Sequence, residues 1–341
     1  MKKNIIFFLN TEKKPSGGRK IIYQFCNFIN KQKNFTSSIL HVEKKKTAKL
    51  LLSFKKKFKI NNSHSGWDFK ELKISKKVDL KWYNEEIILK NSFKLNSKSD
   101  FVILPEIFAH FADDFLIKNA ISYAIFVQNG YAIFPTSNRK KLNIAYNRAK
   151  YILSYSKNID KCIIKAFPEC KKKIIKVIPA INANKLKPDR KQNLITYMPR
   201  KLFKHSELLL FFLERQLPKK WKLKALINLN EEKVFSFLRK SKIFMSFSDL
   251  EGLGMPPIEA AIAGNQVIGY TGEAGKEYWK KPIFTEIKNG ELLYFCEKVL
   301  QNLNNKNFLN NSKSQRTRIA KKYSLINQNN SLINILKKIS R

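Results

Sequence analysis

The sequence predicts an α/β protein made of two open, mostly parallel sheets flanked by helices. Three observations carry that expectation. Short apolar runs alternate with amphipathic stretches along the chain, the pattern that parallel strands and crossover helices produce. A polar, proline-containing segment, Asn182–Asn193, separates two such alternations. At 341 residues the chain exceeds the usual single domain, and 43% hydrophobic residues suffice for two cores. Two domains are therefore drawn, at 1–185 and at 186–341, the second carrying the C-terminal helices.

In the first half, "NIIFFL" (Asn4–Leu9) is a strand, and "PSGGRKIIYQFCNFINKQ" is a glycine turn followed by a helix. Ile21, Ile22, Phe25, Phe28 and Ile29 share one face of that helix. "SSILHV", "DFVILP", "SYAIFVQN" and "KYILSYS" read as further strands, and "IIKVIP" closes the half. In the second half the order is strand "LITYMP", helix "SELLLFFLERQL", strand "WKLKALINL", helix "EEKVFSFLRK" and strand "KIFMSF". A Gly-Pro loop, a short helix, strand "QVIGY" and two helical stretches complete it. Periodicity is weakest over 44–98, which carries Lys44–Lys46, Lys55–Lys57, Trp67 and Trp82. Basic residues among aromatics suit a membrane-surface or acceptor-binding insertion, or a solvated loop.

Lys and Arg number 67 against 26 Asp and Glu, a net charge of +41. Such a charge suits an anionic partner. The lysines, however, are spread evenly and accompanied by abundant Asn, Ile and Phe, as AT-rich coding produces. Nucleic acid is disfavoured on that ground, and an anionic membrane surface is retained. Cys26, Cys162, Cys170 and Cys296 form no C-x-x-C pair and have no histidine at zinc spacing, so free thiols in a reducing cytoplasm and no metal site are expected. "MKKNIIFFLN" begins like a secretory signal, but its apolar run is short and Thr-Glu-Lys-Lys follows it, so it reads as a buried strand. No apolar run has the length to span a bilayer. The expected location is cytoplasmic, free or peripheral on the inner face of the membrane.

The chemistry concentrates in "SDLEGLGMPPIEAAIAG" (Ser248–Gly264), which follows a buried strand and starts a helix. Gly252 and Gly254 permit positive φ and close approach of a ligand to the backbone. Pro256 or Pro257 fits the first helical turn, and Gly264 fits the residue after the helix. The N–H groups of the helix start favour phosphate. Glu251 at the strand end and Glu259, expected in the first helical turn, can accept hydrogen bonds from sugar hydroxyls. Phosphate on the backbone and hydroxyls on the acids describe a nucleotide-sugar.

The stretch "EGLGMPPIEAAIAGNQVIGY" resembles the E-G-x-G-x-P-x-x-E-A-x-x-x-G signature of retaining GT-B glycosyltransferases of the group 1, family 4 type. The resemblance implies two Rossmann-like domains with a cleft between them, and transfer of a sugar from a nucleotide-diphosphate-sugar to an acceptor hydroxyl. The acceptor would be a glycan or lipid-linked saccharide in cell-surface polysaccharide or lipopolysaccharide synthesis. Glu259 would bind the donor ribose, Glu251 would face the donor sugar, and Gly252, Leu253 and Gly254 would supply backbone contacts. Arg200 and Lys201 in "LITYMPRK" match the pair that holds the donor diphosphate, with Lys204 as a rival for the lysine role. Gly17 and Gly18 match the N-terminal glycine loop. Gly272 and Gly275 in "TGEAGKEYW" either line the donor or form a turn.

"FVQNGY" departs from the pattern, because Gln128 and Asn129 stand where many relatives carry a histidine that contacts the donor sugar. An amide bonds a hydroxyl but shuttles no proton at neutral pH. His110 reads as a structural helix residue. Glu106 either faces the cleft or serves a helix start. Asp249 and Glu251 form a D-x-E pair like the metal motif of another glycosyltransferase architecture, but they come late and precede a helix, so a reaction without metal or cofactor is expected. The rivals are a chain that keeps the fold but has lost catalysis, and a nucleic-acid binder inferred from charge alone.

Overall fold

The computed structural model describes residues 2–11, 16–45, 68–75, 78, 80, 83, 85–133, 138–305 and 307–340. Pro15, Lys46, Lys55–Lys57, Trp67 and Trp82 lie outside the described residues, and with them most of the expected basic, aromatic insertion.

Lys3–Asn10 (β1) is the third strand across a seven-stranded sheet, and Ile5–Asn10 are all buried. A strand covered on both faces needs apolar residues at every position, which is why "IIFFL" does not alternate. The remaining strands are β2 (Phe35–Lys44), β3 (Leu72–Ile74), β4 (Asp100–Pro105), β5 (Ser122–Val127), β6 (Tyr151–Ser154) and β7 (Ile174–Lys176). Their spatial order is β3-β2-β1-β4-β5-β6-β7. All pairs are parallel except the short β3, which runs antiparallel to β2. Phe7 pairs with Ile39 on β2 and with Ile103 on β4. The helices among these strands are α1 (Gly17–Asn30), α2 (Arg139–Arg148) and α3 (Lys157–Ala166). Phe8 packs its ring edge-on against Phe108 and Phe111, at centroid distances of 5.4 and 6.0 Å.

The second sheet comprises β8 (Gln192–Tyr197), β9 (Lys222–Ala225), β10 (Ser241–Glu251), β11 (Gln266–Glu273) and β12 (Phe284–Glu286). Its order is β12-β11-β10-β8-β9, all parallel. The helices that follow in the chain are α4 (Phe203–Glu214), α5 (Glu231–Lys240), α6 (Met255–Ile262), α7 (Leu292–Gln301), α8 (Phe308–Asn311), α9 (Lys313–Lys322) and α10 (Leu325–Ile339). Ile195, Leu209, Leu213, Ile243, Phe295 and Val299 centre the core of the second sheet. Lys191, just before β8, points its ammonium at the carbonyls of Leu238 and Ser241, at 3.3 and 2.8 Å, and at that of Ala263. A cation at the C-terminal ends of α5 and α6 meets their negative dipole ends. Burial acts against the charge and pulls this lysine down to about 7.

The chain divides into two compact units, one of 1–155, 159–177 and 329–341, the other of 156–158 and 178–328. The division after Val177 precedes the expected 185/186 boundary, and most of α10 groups with the first unit rather than the second.

Candidate functional site

In the second unit the order of strands reverses between β8 and β10, with β9 built outward on one side and β11 on the other. Such a switch opens a crevice outside the carboxyl ends of the strands. Here β8 runs into Met198-Pro199-Arg200-Lys201, and β10 ends at Glu251. The Lys201 ammonium lies 2.7 Å from Glu251 Oε1. The basic and acidic stretches singled out in the sequence therefore meet at the switch. Arg200 is exposed beside them, and Lys204 is exposed in the first turn of α4.

Of the two glycines in the EGLG loop, only Gly254 is left-handed, with φ of 77° at the N-cap of α6. That start at Met255 corrects the expected place of Glu259, which is the fifth helical residue, in the second turn, and half-buried. The loop is held by hydroxyls. Ser156 donates to Gly252 O at 2.7 Å, and Tyr278 donates to Leu253 O and Gly254 O at 3.0 and 2.8 Å. In a trans peptide the N–H points opposite to the C=O. The N–H groups of Leu253, Gly254 and Met255 therefore point away from those hydroxyls.

Gly272 has φ of 61°, and a Cβ there would come within 2.5 Å of Asp249 O and 2.8 Å of Glu251 Cγ. The glycine thus lets the end of β11 press on Glu251, which pairs with Glu273 across the sheet. Glu273 itself has φ of 64°, a conformation rare for a non-glycine residue, and its carboxylate bonds Lys276 at 2.9 Å. Gly275 belongs to a short 3-10 helix, Ala274–Glu277. Sequence reasoning missed Ser156, Tyr278 and His205, whose Nδ1 is 3.1 Å from Tyr270 Oη. Only the position of His205, next to Lys204, could have drawn attention to it.

In the first unit the reversal falls between β1 and β4. Gly17 and Gly18 are not a loop, as expected, but the first two residues of α1. The reason is the cap: the Ser16 hydroxyl accepts the Arg19 N–H at 3.3 Å, so the helix begins at once. Gln128 follows β5, and its Nε2 donates to Gly18 O at 3.0 Å and to Tyr155 Oη at 2.9 Å. Asn129 caps the 3-10 turn Gly130–Ala132, its Oδ1 accepting the Tyr131 N–H at 3.0 Å.

Beneath them lies Glu106, 5% exposed. Its two oxygens accept the backbone N–H groups of Gln128 and Asn129 at 3.1 and 3.0 Å. Burial pushes its carboxyl up to about 7, against the pull of three backbone N–H groups, those two and its own. Glu106 opens the 3-10 helix Glu106–Phe108, so the helix-start reading holds, and the same carboxyl also holds the turn after β5. His110 sits in a turn rather than a helix, buried with its ring 4.2 Å from that of Phe111.

Among the described residues, no group of three or more His, Cys, Asp or Glu is placed to hold a metal ion, and no helix is long and apolar enough to cross a membrane. None of the four cysteines forms a disulfide, and three of them are buried.

No protein-family profile and no curated protein sequence matches the chain. Solved structures do. HepE from Anabaena, in complex with UDP and glucose, aligns at a TM-score of 0.65 and 10% identity over 98% of this chain and 99% of its own. A glycosyltransferase from Rickettsia africae aligns at 0.64 and 11%, over 100% and 99%. The lipopolysaccharide outer core galactosyltransferase WaaB aligns at 0.61 and 14%, over 98% and 99%. Two parallel sheets in two units, matched end to end by these enzymes, identify the architecture: the chain has the two-domain GT-B fold of glycosyltransferases.

Proposed function

We propose that the protein is a retaining glycosyltransferase of the group 1, family 4 type. It moves a sugar from a nucleotide-diphosphate-sugar to a glycan or lipid-linked saccharide during cell-surface polysaccharide synthesis, on the cytoplasmic side of the membrane. One observation carries the reading. The ammonium of Lys201 and the carboxylate of Glu251, remote in sequence, stand 2.7 Å apart at the switch point of the second sheet. A donor diphosphate would draw Lys201, with Arg200 or Lys204, onto its oxygens, and would leave Glu251 free to accept from the sugar's hydroxyls. The loop N–H groups at Leu253, Gly254 and Met255 add donors for the phosphates, and Glu259 accepts from the ribose. These cations and N–H groups balance the leaving-group charge without a metal or cofactor. Gln128 and Asn129 serve the sugar as hydrogen-bonding amides rather than as proton carriers.

A thermal-shift series with UDP-, GDP-, ADP- and dTDP-sugars tests the donor. A ligand at 100 times its Kd should stabilise the fold by about 2.7 kcal/mol. Glu251→Ala should keep a shift with the nucleotide and lose sugar transfer by roughly 100-fold or more. A wild-type protein that binds but never transfers or hydrolyses is the degenerate chain suggested by the amide at Gln128. Steeply salt-dependent binding of RNA or DNA with no sugar-nucleotide shift would return the charge-based reading.

A further inference from the structure

Gln128 is more constrained than its half-buried position suggests. Its amide nitrogen has two hydrogens, and both have protein acceptors, Gly18 O at 3.0 Å and Tyr155 Oη at 2.9 Å. A carbonyl cannot donate, so the contact with Gly18 fixes which end of the amide is nitrogen. Its Oε1 lies over Gly18, 2.4 Å from where a Cβ would stand, and no described residue donates to it. The backbone beneath is equally determined. Glu106 holds the N–H of Gln128 with one oxygen and that of Asn129 with the other, so the turn can neither rotate nor slip without leaving a buried carboxyl oxygen unpaired.

We propose that Glu106 is a positioning residue: by pinning two successive N–H groups it sets the Gln128 amide so that only Oε1 is offered to a ligand, as an acceptor for a sugar hydroxyl. This rests on the reading above that Gln128 meets the donor sugar. A histidine at this place could present a donor or an acceptor; here the nitrogen face is closed, and a ligand must bring its own O–H.

Two measurements test it on the full chain. In the ligand-free protein, the Gln128 side-chain amide hydrogens, assigned by their loss in Gln128→Ala, should exchange about tenfold or more slower than a free amide, because both are bonded. Glu106→Gln sets a donor against one of the two N–H groups, and Tyr155→Phe removes one acceptor; each should abolish that protection. The second readout is hydrolysis of whichever of UDP-glucose, GDP-mannose, ADP-glucose and dTDP-glucose gives the largest thermal shift. Glu106→Gln should lower kcat by about tenfold to 100-fold with KM within about twofold, as a misplaced contact does. In a Gln128→Ala background, Glu106→Ala should cost nothing further. Wild-type exchange in Glu106→Gln, or additive losses in the double variant, would overturn the proposal. Should Glu106→Ala not fold, the milder Glu106→Gln and Tyr155→Phe variants, with Glu106→Gln in the same Gln128→Ala background, decide it. Should none of the four sugar-nucleotides bind, the transfer reading fails, while amide exchange still decides what Glu106 does.

Discussion

Two carboxylates end up in opposite circumstances. Glu251 closes β10 with its side chain 22% exposed and faces one ammonium, that of Lys201 at 2.7 Å. Glu106 follows β4, is 5% exposed, and has both oxygens committed to backbone N–H groups. A lysine on a flexible stem can leave a carboxylate when a better anion arrives, so Glu251 keeps capacity for a ligand. Backbone N–H groups cannot leave without unfolding the turn. The two carboxylates differ in this way although each stands at the end of a strand beside the switch point of its sheet.

The largest effect expected from this difference is a contrast between two glycines. In the second unit, Gly272→Ala would put a methyl 2.5 Å from a backbone oxygen at a φ of 61°. Left-handed strain and overpacking together should cost about 2–5 kcal/mol, and Glu251 should be displaced with loss of transfer. In the first unit, Gly18 lies in the first turn of α1 with no positive φ, and the obstacle is the end of the Gln128 side chain at 2.4 Å. Gly18→Ala should change stability by less than about 1 kcal/mol, since alanine favours the helix, yet still push the amide aside. Urea unfolding and sugar-nucleotide hydrolysis on both variants check this. Equal destabilisation would mean that the backbone around Gly18 is as rigid as that beside Glu251.

The pH dependence of stability should separate the two carboxylates next. Glu106, enclosed with Tyr146 and Tyr155, holds its proton up to about 7 against an ordinary 4.5. The folded chain thus binds this proton more tightly than the unfolded chain. Its contribution is fully present below pH 4.5 and is lost as pH rises through 7, about 3 kcal/mol in all. His41 has the opposite sign. Buried, bonded to Tyr23 Oη at 3.2 Å and near Arg19, it is pulled down to about 4 from 6.5. Its contribution is present above 6.5 and is lost as pH falls through about 4, again about 3 kcal/mol. The two nearly cancel between pH 4.5 and 6.5. Glu106→Gln should unmask the histidine, so that stability relative to wild type rises by about 3 kcal/mol between pH 4 and 7.5 in urea titrations. A parallel pair of profiles would show that Glu106 binds its proton equally in the folded and unfolded protein, with no upward shift.

How much of this could be read in the sequence follows the same division. Around Glu251 the determinants are local: the glycine that must be left-handed, the proline in the first turn and the glycine after the helix fall within one stretch, and backbone rules place them. Lys201 could be named, with Arg200 and the rival Lys204, through the family resemblance, but its pairing with Glu251 could not. Glu259 was displaced by one turn, because the N-cap at Gly254 depends on its own φ rather than on residue type. Around Glu106 the determinants are dispersed. Gln128 and Tyr155 follow two different strands and Gly18 starts a helix, and no spacing rule joins a buried acid to N–H groups 22 and 23 residues away. Gly17 and Gly18 looked like a loop because two glycines usually are one; the Ser16 hydroxyl made them a helix start.

The smallest predicted effect concerns Tyr278, whose hydroxyl does for the EGLG loop what Glu106 does for the turn at Gln128. Tyr278→Phe keeps the ring among Trp279, Phe284 and Tyr323, at centroid distances of 6.0, 5.5 and 6.5 Å. It removes only the donor shared by Leu253 O and Gly254 O. Gly254, as N-cap, has its carbonyl at the first intrahelical bond, so Leu253 O is the group left without its donor, at about 1–2 kcal/mol. If the N–H groups on the far side of these peptides hold the donor phosphates, freeing the carbonyls should weaken nucleotide binding by about threefold to tenfold, a loss worth 1 kcal/mol or so. Isothermal titration of the variant with the nucleoside diphosphate alone measures it. Unchanged affinity beside lowered stability would mean that Tyr278 supports the loop while the phosphates rest on Arg200 and Lys201, moving the binding energy from backbone to side chains.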